Sequence, residues 1–119
     1  MKKIKKLCFD IDGVVCSLVK NNDYKKVKPI KKNIKMINKL FLGGHYILLF
    51  TARHMGRTND NANAAEKAAK KITQDQLKKW GVTYDKLVFG KPSYDVVIDD
   101  KSLFYDKNWI KKIEKFLVN

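Results

Sequence analysis

The 119-residue chain has only two cysteines and no long apolar run. Cys8 and Cys16 are expected to be reduced, small apolar residues rather than a disulfide framework. No apolar stretch approaches the roughly 18 to 20 residues that a membrane-spanning helix needs. The basic N-terminus is interrupted by Asp10 and Asp12, where a signal peptide would continue with apolar residues. These absences predict one soluble, cytoplasmic domain over residues 1–119.

Arginine is also scarce, although the formal net charge is +14. Only Arg53 and Arg57 are arginines, and the other 24 of the 26 basic residues are lysines spread along the chain. Nucleic-acid-binding surfaces usually concentrate charge on one face and use arginine forks. The composition therefore does not favour a nucleic-acid partner, although it leaves one possible. The charge would still attract anionic substrates, including phosphates.

The most informative stretch is an apolar run at residues 7–9 that leads into Asp10-Ile11-Asp12-Gly13. Side chains alternate along a strand, so both carboxylates would lie on one side of it and the isoleucine on the other. Gly13 then allows a sharp turn of the backbone. Two carboxylates at the end of a buried strand are costly unless they bind a cation or take part in chemistry.

Strands and helices alternate along the rest of the chain. Residues 14–28 are predicted to form a small β-hairpin flap over the two aspartates. Apolar periodicity then predicts a helix at 30–41, a strand at 46–50, helices at 64–71 and 73–80, strands at 86–89 and 94–98, and a last helix after Asp106. This order indicates an α/β fold with parallel strands and right-handed crossovers.

Polar residues follow the predicted core strands. They are Asp10 and Asp12 after the first strand, Thr51 after the second, Lys91 after the third, and Asp99 and Asp100 after the last. The carboxyl ends of parallel strands share one edge of the sheet, where ligands bind, so these groups should converge. Clustered carboxylates suit Mg²⁺, while a hydroxyl and a lysine can stabilise a phosphoryl group. The constellation predicts phosphoryl transfer through an aspartate.

This ordered set resembles the four motifs of the haloacid dehalogenase superfamily of phosphatases, and it spans the chain from Asp10 to Asp100. The resemblance implies that Asp10 is the nucleophile and forms an aspartyl-phosphate. It implies that Asp12 is the general acid for the leaving oxygen and then the base for the attacking water. Thr51 and Lys91 would hold the phosphoryl group.

The resemblance also implies a Mg²⁺ cofactor. Asp10, Asp99 and the main-chain carbonyl of Asp12 would bind the ion, with Asp100 as a further ligand or a neighbouring partner. Beyond the second strand, the residues at the edge of the site are candidates for substrate binding. They are Ala52, Arg53, His54 and Arg57.

The fold implied by the resemblance is a three-layer, Rossmann-like parallel sheet of order 3-2-1-4, with the first strand central and residues 14–28 as the flap. About 38 residues separate Asp12 from Thr51, and about 39 separate Thr51 from Lys91, so core elements fill each interval. This pattern is similar to members without a cap domain. Such members act on large substrates or use a neighbouring subunit to close the site, which makes a homo-oligomer possible.

Several functions are compatible with this set of residues. The segment from Phe9 to Lys101 is similar to small phosphatases associated with bacterial capsule or surface-polysaccharide synthesis, so a sugar phosphate or related metabolite is the preferred substrate. A nucleotide or polynucleotide end is the rival, and its binding would depend strongly on salt.

A receiver-like signalling domain is a different class. The position of Asp99 and Asp100 after Lys91 argues against it. A degenerate binding module is a third class, and the intact set of catalytic residues gives it no support.

Overall fold

The computed structural model describes residues 3–21 and 23–118. Within them the chain forms a mixed α/β domain with a three-stranded parallel sheet and three α-helices. The strands are β1 (Lys6–Asp10), β2 (Tyr46–Thr51) and β3 (Lys86–Phe89). The helices are α1 (Lys31–Leu42), α2 (Ala62–Lys79) and α3 (Trp109–Val118), with 3₁₀ turns at Tyr24–Lys26 and Gly56–Thr58. None of the helices in this part of the chain is long and apolar enough to cross a bilayer.

The sheet has the order β1-β2-β3, with β2 in the middle. Leu7 lies opposite Ile47 and Phe9 lies opposite Leu49, and these four side chains are buried in the core. Cys8 points to the other face and is exposed, so β1 buries one face rather than both. The sequence predicts a buried strand here, and the structure buries only the face that carries Leu7 and Phe9.

Each of the three helices contributes buried side chains to the core. The indole of Trp109 in α3 meets the ring of Phe9 edge-on, with centroids 5.8 Å apart. Helix α2 is continuous, whereas a break was expected near Thr73 because Thr73 and Gln76 fit a capping box. Its cap is instead Asn61, whose side-chain oxygen accepts a hydrogen bond from the N–H of Ala64 at 3.0 Å.

The predicted hairpin at residues 14–28 is only partly formed. The chain does return on itself, because the N–H of Ser17 donates to the carbonyl of Lys28 at 2.8 Å. However, Tyr24–Lys26 is a 3₁₀ turn rather than a strand. Its cap is Asp23, whose carboxylate accepts from the N–H of Lys25, and the Tyr24 side chain is buried. The ring of Tyr24 is therefore buried, whereas the predicted hairpin would have placed it over the two aspartates.

The predicted strand at residues 94–98 does not form in this structure. Val96, Val97 and Ile98 are instead exposed, and the parallel ladder of β1 is with β2. The apolar, β-branched composition of this segment is typical of a strand, but β-propensity depends on context and does not by itself pair the segment with β1, whose outer edge carries no strand in the described residues. The fourth strand and the three-layer arrangement are therefore not confirmed, while the order of the other three strands agrees with the prediction.

Candidate active site

Asp10 is the last residue of β1, and its carboxylate lies at the carboxyl end of the sheet. One oxygen, Oδ1, accepts a hydrogen bond from the N–H of Ile11 at 2.8 Å. The other, Oδ2, is 3.0 Å from the ammonium nitrogen of Lys91. The two side chains are 35 % and 20 % exposed, so the pair is accessible from solvent. The sequence separation of 81 residues is bridged by the sheet, as the motif order predicted.

Lys91 is placed by the turn that follows β3. Gly90 has a φ of +96°, and a Cβ at this position would lie 2.7 Å from the Cβ of Ala62. Glycine is therefore required here by both backbone conformation and close packing. The N–H of Lys91 donates to the carbonyl of Thr51 at 3.1 Å, which ties this turn to β2.

The ammonium group of Lys91 remains charged in this setting. Burial alone would lower the pKa of Lys91, but the hydrogen bond and charge of Asp10, together with the hydroxyl of Tyr94, outweigh burial and raise it. A lysine that keeps its proton beside a carboxylate supplies a fixed positive charge where an anionic substrate would approach.

Thr51 ends β2 and is fully buried. Its hydroxyl oxygen accepts a hydrogen bond from the N–H of Arg53 at 3.1 Å. The carbonyl of Ala52 accepts from the N–H of Met55 at 2.9 Å, so a tight turn begins directly after the strand. This turn positions the backbone that follows β2 beside the end of β1.

Asp12 forms a two-pronged ion pair with Arg53. Nε of Arg53 is 3.0 Å from Oδ2 of Asp12, and Nη2 is 3.0 Å from Oδ1. The arginine side chain is fully buried, whereas the aspartate is 16 % exposed. The thiol of Cys16 donates to Oδ1 at 3.3 Å. Burial and then the charge of Asp12 raise the pKa of Cys16 to about 12, so the thiol keeps its proton.

His54 and Arg57 lie together at the outer edge of the site. Nη1 of Arg57 is 3.4 Å from Nδ1 of His54, and the N–H of His54 donates to the hydroxyl of Tyr24 at 3.2 Å. Burial, followed by the charges of Arg57 and Arg53, lowers the pKa of His54.

His54, Arg57 and Lys25 line an open cavity of about 610 Å³. Asp23 also lines this cavity, so its charge is mixed, and none of Asp10, Asp12, Thr51 and Lys91 is part of the lining. A larger cavity of about 740 Å³ lies along α1 and Trp80 and includes none of the predicted site residues.

Asp99 and Asp100 are not brought into this cluster. Both are exposed, and Oδ1 of Asp99 accepts from the N–H of Lys101 at 3.0 Å. That hydrogen bond, and then one with Asp100, lowers the pKa of Asp99. In residues 3–21 and 23–118, no three His, Cys, Asp or Glu side chains are grouped so that they could hold a metal ion. The side chains as they stand in this structure therefore do not form the Mg²⁺ site implied by the motifs.

The contacts of Arg53 with Thr73, Gln76 and Tyr24 do not follow from the sequence pattern. Nη1 of Arg53 donates to Oγ1 of Thr73 at 3.1 Å and to Oε1 of Gln76 at 2.6 Å. The guanidinium carbon lies 4.8 Å from the centroid of the Tyr24 ring. One signal was present in the sequence, because the buried face of α2 repeats every four residues: Ala65, Ala69, Thr73 and Leu77. A threonine within such a stripe indicates a buried polar partner.

Comparisons with known proteins address the fold only. No family model matches the chain, and no curated protein matches it significantly. The structure is similar to a crystal structure of a structural-genomics target from Vibrio cholerae, with a TM-score of 0.78 and 25 % sequence identity. The alignment covers 95 % of this chain and 98 % of that chain. This similarity supports the α/β architecture over almost the whole length and assigns no activity.

Proposed function

We propose that the chain is a phosphomonoester hydrolase that acts through an aspartyl-phosphate on Asp10. The observation that carries the proposal is the ion pair of Asp10 with Lys91 at the carboxyl end of β1, with Nζ and Oδ2 3.0 Å apart. Asp12 lies two residues further on and also presents a partly exposed carboxylate. A nucleophile, a fixed cation and a second carboxylate are the minimum set for this reaction.

The reaction would take place in two displacements. In the first, a carboxylate oxygen of Asp10 attacks phosphorus and the bond from phosphorus to the leaving oxygen breaks. Asp12, which must enter this step as the carboxylic acid rather than as the ion paired with Arg53, gives its proton to that oxygen. In the second, Asp12 takes a proton from a water molecule that attacks the aspartyl-phosphate. The phosphorus–carboxylate bond breaks, and inorganic phosphate leaves with Asp10 restored.

Lys91 and the end of β2 would stabilise the charge that moves during these displacements. The Lys91 ammonium neutralises the Asp10 carboxylate before attack and the phosphoryl oxygens afterwards. We assign the N–H of Ala52, in the turn that follows β2, to the phosphoryl oxygens. The hydroxyl of Thr51, which is fully buried in this structure, would reach them only if the end of β2 opened when substrate binds. His54 and Arg57, on the rim of the cavity, are assigned to the rest of the substrate.

The finer fold belongs to the same proposal. We propose that residues 94–98 add to the free edge of β1 in the substrate-bound form, which would give the order 3-2-1-4. The support is the exposed apolar surface of Val96, Val97 and Ile98, which such pairing would cover. Asp99 and Asp100 would then lie at the same sheet edge as Asp10. The Mg²⁺ requirement stays a prediction that depends on this rearrangement.

The preferred substrate is a sugar phosphate or related metabolite, and a nucleotide or a phosphorylated polynucleotide end is the alternative. The cavity beside His54 and Arg57 is open, so it is compatible with a large substrate or with closure by a second subunit. A metabolite would make few contacts with the lysine-rich surface, whereas a polynucleotide would make many. Salt dependence of KM therefore separates the two.

The test is release of inorganic phosphate from a panel of p-nitrophenyl phosphate, sugar phosphates, nucleotides and 3′-phosphorylated oligonucleotides, with Mg²⁺ and with chelator. We expect turnover of at least one member, and loss of activity with chelator if the metal is required. Absence of phosphate release from every member by a folded protein would overturn the proposal. Stable incorporation of phosphate from acetyl phosphate without turnover would instead favour a receiver-like acceptor.

A further inference from the structure

Arg53 is the largest side chain that the fold buries completely among the described residues. Removing a guanidinium from water is costly unless its N–H groups are paired, and a paired arginine in the interior holds its partner in a fixed geometry. The position of Arg53 just beyond β2 in the sequence predicts a substrate-binding residue at the edge of the site. Its zero exposure leaves it no surface with which to contact a substrate.

The contacts of Arg53 divide into two groups. Nε and Nη2 each donate to a different oxygen of Asp12 at 3.0 Å. Nη1 donates in the opposite direction, to Oγ1 of Thr73 and Oε1 of Gln76 on α2. The guanidinium carbon lies over the ring of Tyr24, 4.8 Å from its centroid. Helix α2 and the 3₁₀ turn therefore hold the guanidinium, and the guanidinium in turn holds the Asp12 carboxylate.

We infer that Arg53 is a positioning residue, which fixes the Asp12 carboxylate for proton transfer and does not touch the substrate. The inference rests on the proposed function, because it assumes that Asp12 exchanges a proton with the leaving oxygen. A two-pronged pair restricts rotation of the carboxylate in a way that a single hydrogen bond does not. Thr73 and Gln76 do not contact Asp12 through these bonds; they accept hydrogen bonds from Nη1 of Arg53 and so hold the guanidinium in place.

The inference predicts a loss that depends on the leaving group. An alkoxide needs a proton when it leaves, whereas p-nitrophenolate does not, so misplacing Asp12 should affect alkyl phosphates selectively. We would measure kcat/KM on a primary alkyl phosphate and on p-nitrophenyl phosphate for wild type, Asp12→Asn, Arg53→Lys and Thr73→Val. Asp12→Asn should lose about 10²- to 10⁴-fold on the alkyl phosphate and at least about tenfold less on p-nitrophenyl phosphate.

Arg53→Lys keeps the positive charge but not the fork, so it should lose about tenfold on the alkyl phosphate and little on p-nitrophenyl phosphate. Thr73→Val removes one acceptor of the guanidinium and should lose a few-fold on the alkyl phosphate alone. It carries the test if Arg53→Lys does not fold. Lys67→Gln, an exposed charge-removing change on α2, serves as the matched control and should behave as wild type.

The possible outcomes separate this inference from the proposed function. Equal losses of Arg53→Lys on both substrates, or no loss on either, would overturn the positioning role while the phosphatase assignment stands. Wild type that releases no phosphate from either substrate would overturn the proposed function, and this inference with it. A loss that appears as raised KM with unchanged kcat on both substrates would mean direct substrate binding and would also overturn it.

Discussion

The carboxylates at the end of β1 and those at residues 99–100 differ in how much the protein surrounds them. Asp10 and Asp12 each face a cation that the fold supplies, Lys91 and Arg53, at N–O distances of 3.0 Å. Residues 99–100 are exposed, and Oδ1 of Asp99 accepts a hydrogen bond from the nearby backbone N–H of Lys101. The first pair is thus built by tertiary structure, and the second by a local turn.

This difference shows which carboxylates the fold holds in a fixed orientation. A carboxylate held by a buried guanidinium has a fixed orientation, because leaving the charge unpaired in the interior would cost several kcal/mol. An exposed aspartate in a turn is not held in this way, and water solvates it whichever way it faces. The carboxylates at the end of β1 are therefore held in place by the fold, whereas those of residues 99–100 are not; under the proposed function, the latter would need to move before they could take part.

The sharpest test of the β1 end is Asp10→Asn. The amide keeps the size of the carboxylate but is not a nucleophile, so phosphate release should fall by at least about 10³-fold. The measurement is kcat on the best substrate of the panel, with the urea midpoint as a check on folding. Asp75→Asn, an exposed change on α2, is the matched control and should leave kcat unchanged. Retention of more than a tenth of the activity by Asp10→Asn would show that another group is the nucleophile.

A pair of isoleucines tests the same contrast through stability. Ile47 in β2 is fully buried, whereas Ile98 is 95 % exposed. Without ligand, Ile47→Ala should lower the free energy of unfolding by about 2 to 5 kcal/mol, and Ile98→Ala should change it by less than about 0.5 kcal/mol. Urea denaturation measures both values.

The same pair reports on the proposed fourth strand. If residues 94–98 pair with β1 in the bound form, Ile98→Ala should cost at least about 1 kcal/mol once Mg²⁺ and inorganic phosphate are added, because an apolar side chain is then covered. A cost above about 1.5 kcal/mol without ligand would break the comparison, since it would mean that the segment is already packed in the free protein.

Much of the sheet was predictable because its signals are local. The apolar run at 46–50 and the short strand at 86–89 are bounded by glycine and polar residues, and the structure forms both strands, the first extended to Thr51. The meeting of Asp10 and Lys91 also followed from the sequence, since strand ends in a parallel sheet share one edge. These inferences needed only periodicity and topology.

The surroundings of Asp12 were not predictable in the same way. The polar stretch after β2 is typical of an exposed loop, yet Arg53 is buried because Asp12, Thr73 and Gln76 satisfy its N–H groups. Those partners lie up to 41 residues away, so no local pattern reports them. Residues 94–98 show the reverse error. Their local pattern is typical of a strand, but a strand also needs a partner that the pattern does not specify.

The variant Asp99→Asn tests whether residues 99–100 join Asp10 in binding Mg²⁺. If residues 94–98 bring Asp99 to Asp10 in the bound form, the concentration of Mg²⁺ that gives half-maximal activity should rise about 10- to 100-fold, because one charged oxygen ligand is lost. A Mg²⁺ titration of phosphate release measures it. Asp95→Asn, an exposed change on the same segment, is the control. An unchanged titration for Asp99→Asn would mean that this acid takes no part in metal binding.

A pH-dependent effect is expected from the thiol that donates to Asp12. The pKa of Cys16 is raised to about 12 in the folded protein, from an ordinary value of 9.0. The unfolded chain therefore loses this proton first, and the stabilisation is complete below pH 9 and is lost as the pH rises towards 12. Relative to Cys16→Ala, wild type should lose at most about 1.4 kcal/mol of unfolding free energy per pH unit in this window. Cys8→Ala, at an exposed thiol, should show a smaller trend. Parallel pH curves for wild type and Cys16→Ala would mean that the thiol beside Asp12 is as well solvated as Cys8, and that the end of β1 is less enclosed than its contacts indicate.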